Sequence, residues 1–396
     1  MVRPFEHPRP YRGPLTSDGG NLYDLADTII AHTPVGAGVG IHLGTSREGR
    51  PIRGLRLGSG PLRVSLIGGC HADEPVGPRF LARLAAYLGS LPPGHELLTD
   101  YEWWIVPHIN PDGAERNRGW HDGEGSVMPS DVFDPVRYLS LVVRELPGDD
   151  LEFGFPRSRE DPNVRPESRA VLEWWRSAGA SFHLHVTLHG IALARGPWFL
   201  LEPAWLDRVE YLKRSCAEEV GRLGYVLHDV EREGEKGFHR VEPGFCTRPN
   251  SKAMRDHFLA LGDQETAGAF RPSSMEAIRS LGGDPLTLVS EMPLFITPGV
   301  GEELGPPDPV GEEWKERRAR WQLALGRAMM SESEASERSM DERAELPFDA
   351  AHAEVSAEIR ASGLTPMAIL DQMRLQWRLV SAGLEQVRFD QERESA

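Results

Sequence analysis

Four short stretches of the chain set acid–base or metal-binding side chains beside glycine, proline or the end of an apolar run. The first is GGCHADEPVG, residues 68–77, directly after the apolar segment LRVSLIG. His71 and Glu74 therefore leave a strand on a tight turn, the place where α/β sheets carry functional groups. An imidazole nitrogen and a carboxylate three residues apart can reach one cation, and the pairing suits Zn2+. The second stretch, WWIVPHINPDGAERNRGW, runs from 103 to 120. Its Asn110-Pro111-Asp112-Gly113 reads as a turn. Arg116 and Arg118 follow as fixed cations able to steady a developing oxyanion, with Asn117 between them as a candidate substrate contact.

The third stretch is SFHLHVTLHG, residues 181–190. A period of two puts His183, His185, Thr187 and His189 on one strand face and Phe182, Leu184, Val186 and Leu188 on the other. His189 stands before Gly190, at the expected strand end, and reads as a ligand; His183 and His185 lie deeper and read as hydrogen-bonded core residues. The fourth is LTLVSEMPLF, residues 286–295. A carboxylate at Glu291, after so apolar a strand, is costly to bury unless it faces a cleft, a metal or a cation.

These groups need a sheet to hold them. Between about residue 20 and residue 300, short apolar strands alternate with amphipathic helices, the pattern of an α/β domain. Strands are expected over 62–68, 103–107, 182–188 and 286–289, and helices over 76–88, 168–177, 205–223 and 312–330. Residues 1–20, rich in Pro, Gly and Arg, read as an irregular arm. Residues 21–330 read as the catalytic domain and 331–396 as an acidic, helical C-terminal extension. Its apolar residues, Ile359 to Leu379, need a covering surface on the domain or on a second subunit, so a homo-oligomer is one expectation.

Composition removes several function classes. The net charge of −16 argues against a general nucleic-acid binder, which needs a basic footprint. Three cysteines, none in a CxxC pair, imply no disulfide framework. Without an apolar run long enough to span a bilayer or to lead secretion, a cytoplasmic protein with no membrane partner is expected.

In order, the four segments resemble the zinc metallocarboxypeptidase (carboxypeptidase A-like) superfamily, including its succinylglutamate desuccinylase and aspartoacylase-type amidohydrolases. The shared pattern is H-x-x-E after a strand, then N-P-D-G, then a strand-end His and a strand-end Glu, over roughly residues 40–300. The resemblance implies a three-layer α/β/α sandwich with a mixed, mostly parallel, eight-stranded sheet. It also implies one Zn2+ per chain on His71, Glu74 and His189, with one position open. Glu291 would be the general base, and Arg116 or Arg118 would polarise the carbonyl.

One segment departs from the family. Where carboxypeptidases carry D-L-N-R-N-F-P, residues 150–156 read D-L-E-F-G-F-P. Glu152 and Phe153 replace the Asn-Arg pair that grips a substrate carboxylate, and an acid and a ring cannot form that bidentate clamp. A pocket lined by Glu152 and Phe153 is expected, one that disfavours a free C-terminal carboxylate. The leading expectation is a zinc hydrolase cleaving a peptide or N-acyl bond. The alternatives are an N-acyl amino acid amidohydrolase of desuccinylase type and a non-catalytic metal-binding interaction protein.

Overall fold

The computed structural model describes residues 22–36, 38–121, 131–230, 234–298, 309–336 and 348–394. The arm expected at 1–20 and most of the Pro/Gly linker before 309 lie outside these residues. The sheet's strands are β1 (Ile41–Thr45), β2 (Pro51–Leu57), β3 (Leu62–Gly68), β4 (Tyr101–Val106), β5 (Leu184–Ala194), β6 (Trp198–Leu201), β7 (Arg240–Glu242), β8 (Phe245–Thr247), β9 (Leu286–Ile296) and β10 (Thr365–Pro366).

They form one sheet in the order β1-β2-β4-β3-β5-β9-β6-β8-β7, with β10 added beside the end of β9. The four central strands β4, β3, β5 and β9 are mutually parallel. β2 joins β4, and β6 joins β9, antiparallel. The sheet is thus mixed, as expected, but among the described residues it has ten strands rather than eight. It is parallel only at its centre and at the β6/β8 pair. Of the added antiparallel pairs, β7/β8 is a short edge hairpin, while β10 reaches β9 only after the chain has passed through α7 and α8.

Helices cover both faces. On one lie α1 (Val76–Ser90), α5 (Glu210–Arg222) and α9 (Ile369–Glu394). They pack on Val64, Leu66, Leu184, Val186, Leu188, Leu286 and Leu288. On the other lie α4 (Pro166–Arg176) and α6 (Ser274–Arg279), against Ile67, Trp104 and Val106. Between these come α2 (Pro111–His121) and α3 (Pro135–Leu141), and later α7 (Pro309–Ser336) and α8 (Phe348–Ala361). The helix expected over 312–330 runs on to Ser336, so residue 330 falls inside α7.

α9 belongs to the main core. Leu375, Leu379, Val380, Ala382 and Leu384 are fully buried in it, and Trp377 donates its indole N–H to Leu22 O at 2.8 Å. At about 25 cal/mol per Å2, the leucine and valine side chains among these each add roughly 1.5–3 kcal/mol on burial, before conformational entropy is subtracted.

Two strands differ from expectation where it matters. His189 and Glu291 were both expected at strand ends, yet β5 continues to Ala194 and β9 to Ile296. The two strands stay in parallel register through His189↔Glu291 to Ala194↔Ile296, and β10 pairs with Phe295 and Ile296. Continued backbone pairing carries the strands past Gly190 and Pro293.

Candidate metal centre

The turn after β3 is shaped by glycines whose need can be named. Gly69 has φ +73°, and a Cβ there would stand 2.6 Å from the His108 ring. Gly77 lets α1 approach β5, since its Cβ would meet Leu188 O at 2.5 Å. The turn so formed brings His71 and Glu74 over β5, facing His189.

Three donor atoms converge. His71 Nδ1 lies 2.6 Å from Glu74 Oε1, and His189 Nδ1 lies 2.9 Å from Glu74 Oε2. The two Nδ1 atoms are 3.2 Å apart. His189 and Glu74 are buried, while His71 is partly open, at 22% side-chain exposure. Two imidazole nitrogens and one carboxylate, open on one side, fit the donor set and the vacant position of a catalytic zinc site. Burial raises the pKa of Glu74, but the two imidazoles outweigh it and hold the carboxyl well below the usual range. Burial lowers that of His189, yet Glu74 and Glu152 raise it well above normal. A positive charge is wanted here, and the histidines supply it when no cation does.

Glu291 sits beside His189 across the β5/β9 register and is partly exposed. Burial, reinforced by Glu74, pushes its pKa up to about 8 against the pull of His189, His71 and Arg144. Among the described residues it has no hydrogen bond or ion pair, unlike Glu74.

Of the expected cations, neither reaches the cluster. Asn110 Oδ1 accepts from Gly113 N–H at 3.0 Å and Pro111 opens α2, so Asn-Pro-Asp-Gly starts a helix rather than standing as a free turn. The phase of that helix turns Arg116 toward Glu145 (3.3 Å) and Glu48 (3.7 Å) and Arg118 toward Glu115. Asn117 is buried and spent. Its Nδ2 donates to Gly113 O and Val143 O, and its Oδ1 accepts from Trp120 Nε1 and Val143 N.

The cation that arrives instead is Arg144. Its Nη1 lies 3.5 Å from Asp73 Oδ2, within the same turn as His71 and Glu74, and Glu74 and Glu291 both act on its charge. Its side chain is 44% exposed. Asn117, by gripping both backbone groups of Val143, holds the residue next to it. The signal that could have found Arg144 is Asp73, a buried acid between two ligand positions that calls for a counter-ion.

The D-L-E-F-G-F-P segment is also corrected. Glu152 and Phe153 are 6% and 5% exposed and line no open pocket. Phe153 packs edge-on against Phe270 at 5.4 Å, and Glu152 turns inward to His189. Arg165 is held by Glu145, Glu167 and Asn110 and cannot replace the missing clamp. His185 is a core residue as expected, whereas His183 is hydrogen-bonded but only partly buried, just before β5 begins. His183 Nδ1 accepts from Arg63 N–H, and His185 lies between Ser65 Oγ (3.1 Å) and Ser274 Oγ (3.2 Å). Burial keeps His185 neutral, its pKa pushed down to about 3.

The α/β sandwich carries a His-Glu-His cluster over its central parallel strands, with a further carboxylate alongside, a donor set that could hold a metal ion. Residues 39–196 match the family described as zinc carboxypeptidase. Carboxypeptidase D of Rattus norvegicus is 32% identical over 243 residues, covering 54% of this chain and 17% of that protein. Inactive metallocarboxypeptidase ecm14 of Talaromyces marneffei is 38% identical over 86 residues, 18% of this chain and 14% of that one. The chain thus spans under a fifth of the length of either relative. Among solved structures, carboxypeptidase A from Helicoverpa armigera aligns at 15% identity over 77% of this chain and 70% of that one, with a TM-score of 0.38. The matched family is a zinc family, and the donor set fits that metal.

Proposed function

We propose that this protein is a zinc-dependent hydrolase of amide bonds, in peptides or in acylated small molecules, with one zinc per chain. Since one matched relative is named inactive, the family match does not by itself carry catalysis. The observation that supports it is Glu291, a carboxylate beside the ligands with no hydrogen bond or ion pair among the described residues.

His71, Glu74 and His189 would hold the metal, which when bound would polarise the substrate carbonyl and acidify a water. Glu291, once ionised, takes a proton from the attacking water and gives it to the leaving nitrogen. Arg144, exposed beside Asp73, donates N–H groups to the oxygen on which negative charge develops. Residues 150–156 offer no guanidinium, so recognition of a free C-terminal carboxylate has no support from that segment. An N-acyl amidohydrolase therefore stands as the second reading.

Zinc should be measured in wild type and in His71→Ala and His189→Ala variants. Hydrolysis should be followed on a C-terminal peptide, its amide-blocked twin and N-acyl amino acids. We expect about one zinc per chain, lost in both variants. Glu291→Gln should keep the metal and lose roughly 10²- to 10⁴-fold in rate. Full zinc in His189→Ala would move the third ligand elsewhere, and an active Glu291→Gln would remove the base. Clear preference for the free carboxylate would return the protein to the ordinary carboxypeptidases.

A further inference from the structure

His189 is held at both ring nitrogens, and only one of them faces the metal site. Nδ1 points to Glu74 and His71, while Nε2 lies 3.0 Å from Oε2 of Glu152. His189 is 3% exposed and Glu152 6%, so this contact is closed to water. A carboxylate is costly to bury without a partner, and His189 is the hydrogen-bonding partner Glu152 has.

The loop that carries Glu152 is pinned on both sides. Leu151 N–H donates to Cys70 O at 3.3 Å, and Phe155 N–H to Pro272 O at 3.0 Å. Asp150 Oδ1 accepts from Phe153 N–H at 3.1 Å. The Cys70 thiol is also near His189, but burial pushes its pKa up to about 12, so it stays uncharged and is a weak acceptor. A neutral imidazole can give one nitrogen to a cation only if the other keeps its proton. A ring with an anionic acceptor at Nε2 is fixed in that tautomer and orientation, and is the more basic at Nδ1.

We propose that Glu152 is a positioning residue for the metal centre: it accepts the Nε2–H of His189 and so presents Nδ1 to the cation beside Glu74. This rests on the zinc reading above. It also gives residue 152 a role quite different from a substrate contact, with its acid turned inward beneath the site.

The test uses the full chain and two variants. Glu152→Gln keeps an acceptor of the same shape without the charge; Glu152→Leu keeps the bulk without the acceptor. Zinc affinity is measured by competition with a chelator, and folding by circular dichroism. Affinity should fall about 10-fold in Glu152→Gln and up to about 100-fold in Glu152→Leu. In the zinc-loaded wild type, the His189 Nε2–H should give a downfield, slowly exchanging proton resonance. That signal should vanish in Glu152→Leu and His189→Ala. Should Glu152→Leu not fold, Glu152→Gln decides. Affinity within about twofold of wild type in the folded variants, or a persistent resonance in Glu152→Leu, overturns the proposal. If those variants match wild type while His71→Ala loses zinc, this proposal alone is lost. If wild type and His71→Ala bind zinc alike, the metal reading itself fails.

Discussion

The two faces of strands β3, β5 and β9 are made from alternate residues of the same segments, yet they do opposite work. One presents Val64, Leu66, Leu184, Val186, Leu188, Leu286 and Leu288 to α1, α5 and α9. The other presents Ser65, His185, Thr187 and Thr287, all fully buried, in a polar file that leads up to His189 and Glu291. The apolar face gains stability simply by losing water. Most of the polar file has to be matched atom by atom. Ser65 and Ser274 flank His185, while Thr287 donates to Glu202 (2.6 Å) and accepts from Arg248 Nε (2.9 Å). Chemistry sits on the side where most polar neighbours are specified, which is what a preorganised site needs.

That contrast can be broken most severely by stripping the apolar face. A chain ending at residue 330 lacks α9 and uncovers Leu184, Leu286 and Leu288. It should aggregate or melt more than about 10 °C lower. A soluble product with unchanged melting would show that α9 is dispensable to the core. On the polar side, changes should strike rate and spare the fold. Arg144→Ala should lower kcat roughly 10²-fold with zinc content unchanged, and lower melting only by the few degrees that unpairing Asp73 costs. Arg116→Ala and Arg118→Ala should each stay within about twofold, and the reverse ranking would restore α2 as the source of the catalytic cation.

The smallest effect is a pH-dependent one in metal-free protein. The Glu291 pKa stands at about 8 against an ordinary 4.5, so between those values the folded state holds a proton the unfolded state has lost. Wild-type stability therefore falls as pH rises through that window, and Glu291→Gln lacks the loss. The variant's melting temperature should gain a few degrees on wild type between pH 5 and pH 9. A constant difference would mean that Glu291 is ionised throughout.

Much of the polar face was legible in the sequence. The alternation in SFHLHVTLHG assigned His185 and His189 to one side, and the glycine-flanked H-x-x-E announced a strand-to-helix turn. Less legible was anything set by residues far apart in the chain. Arg144 is placed by Asp73, 71 positions away, while Arg116 and Arg118 looked apt only because they follow Asn-Pro-Asp-Gly. Helix phase, invisible in that proximity, turned them outward. The inward turn of Glu152 depended on a histidine 37 positions away. The extension of β5 and β9 came from their pairing with each other, which no single segment displays.

The position of α9 has a consequence for how the molecule is made. β9 is complete at Ile296, but the helix that covers its apolar face ends at Glu394, roughly a hundred residues later. At ~5–20 residues per second, a ribosome takes roughly 5–20 s to cross that interval. For that time the part of the apolar face that α9 covers is left to α1 and α5 alone, and its uncovered remainder is open to association with other apolar surfaces.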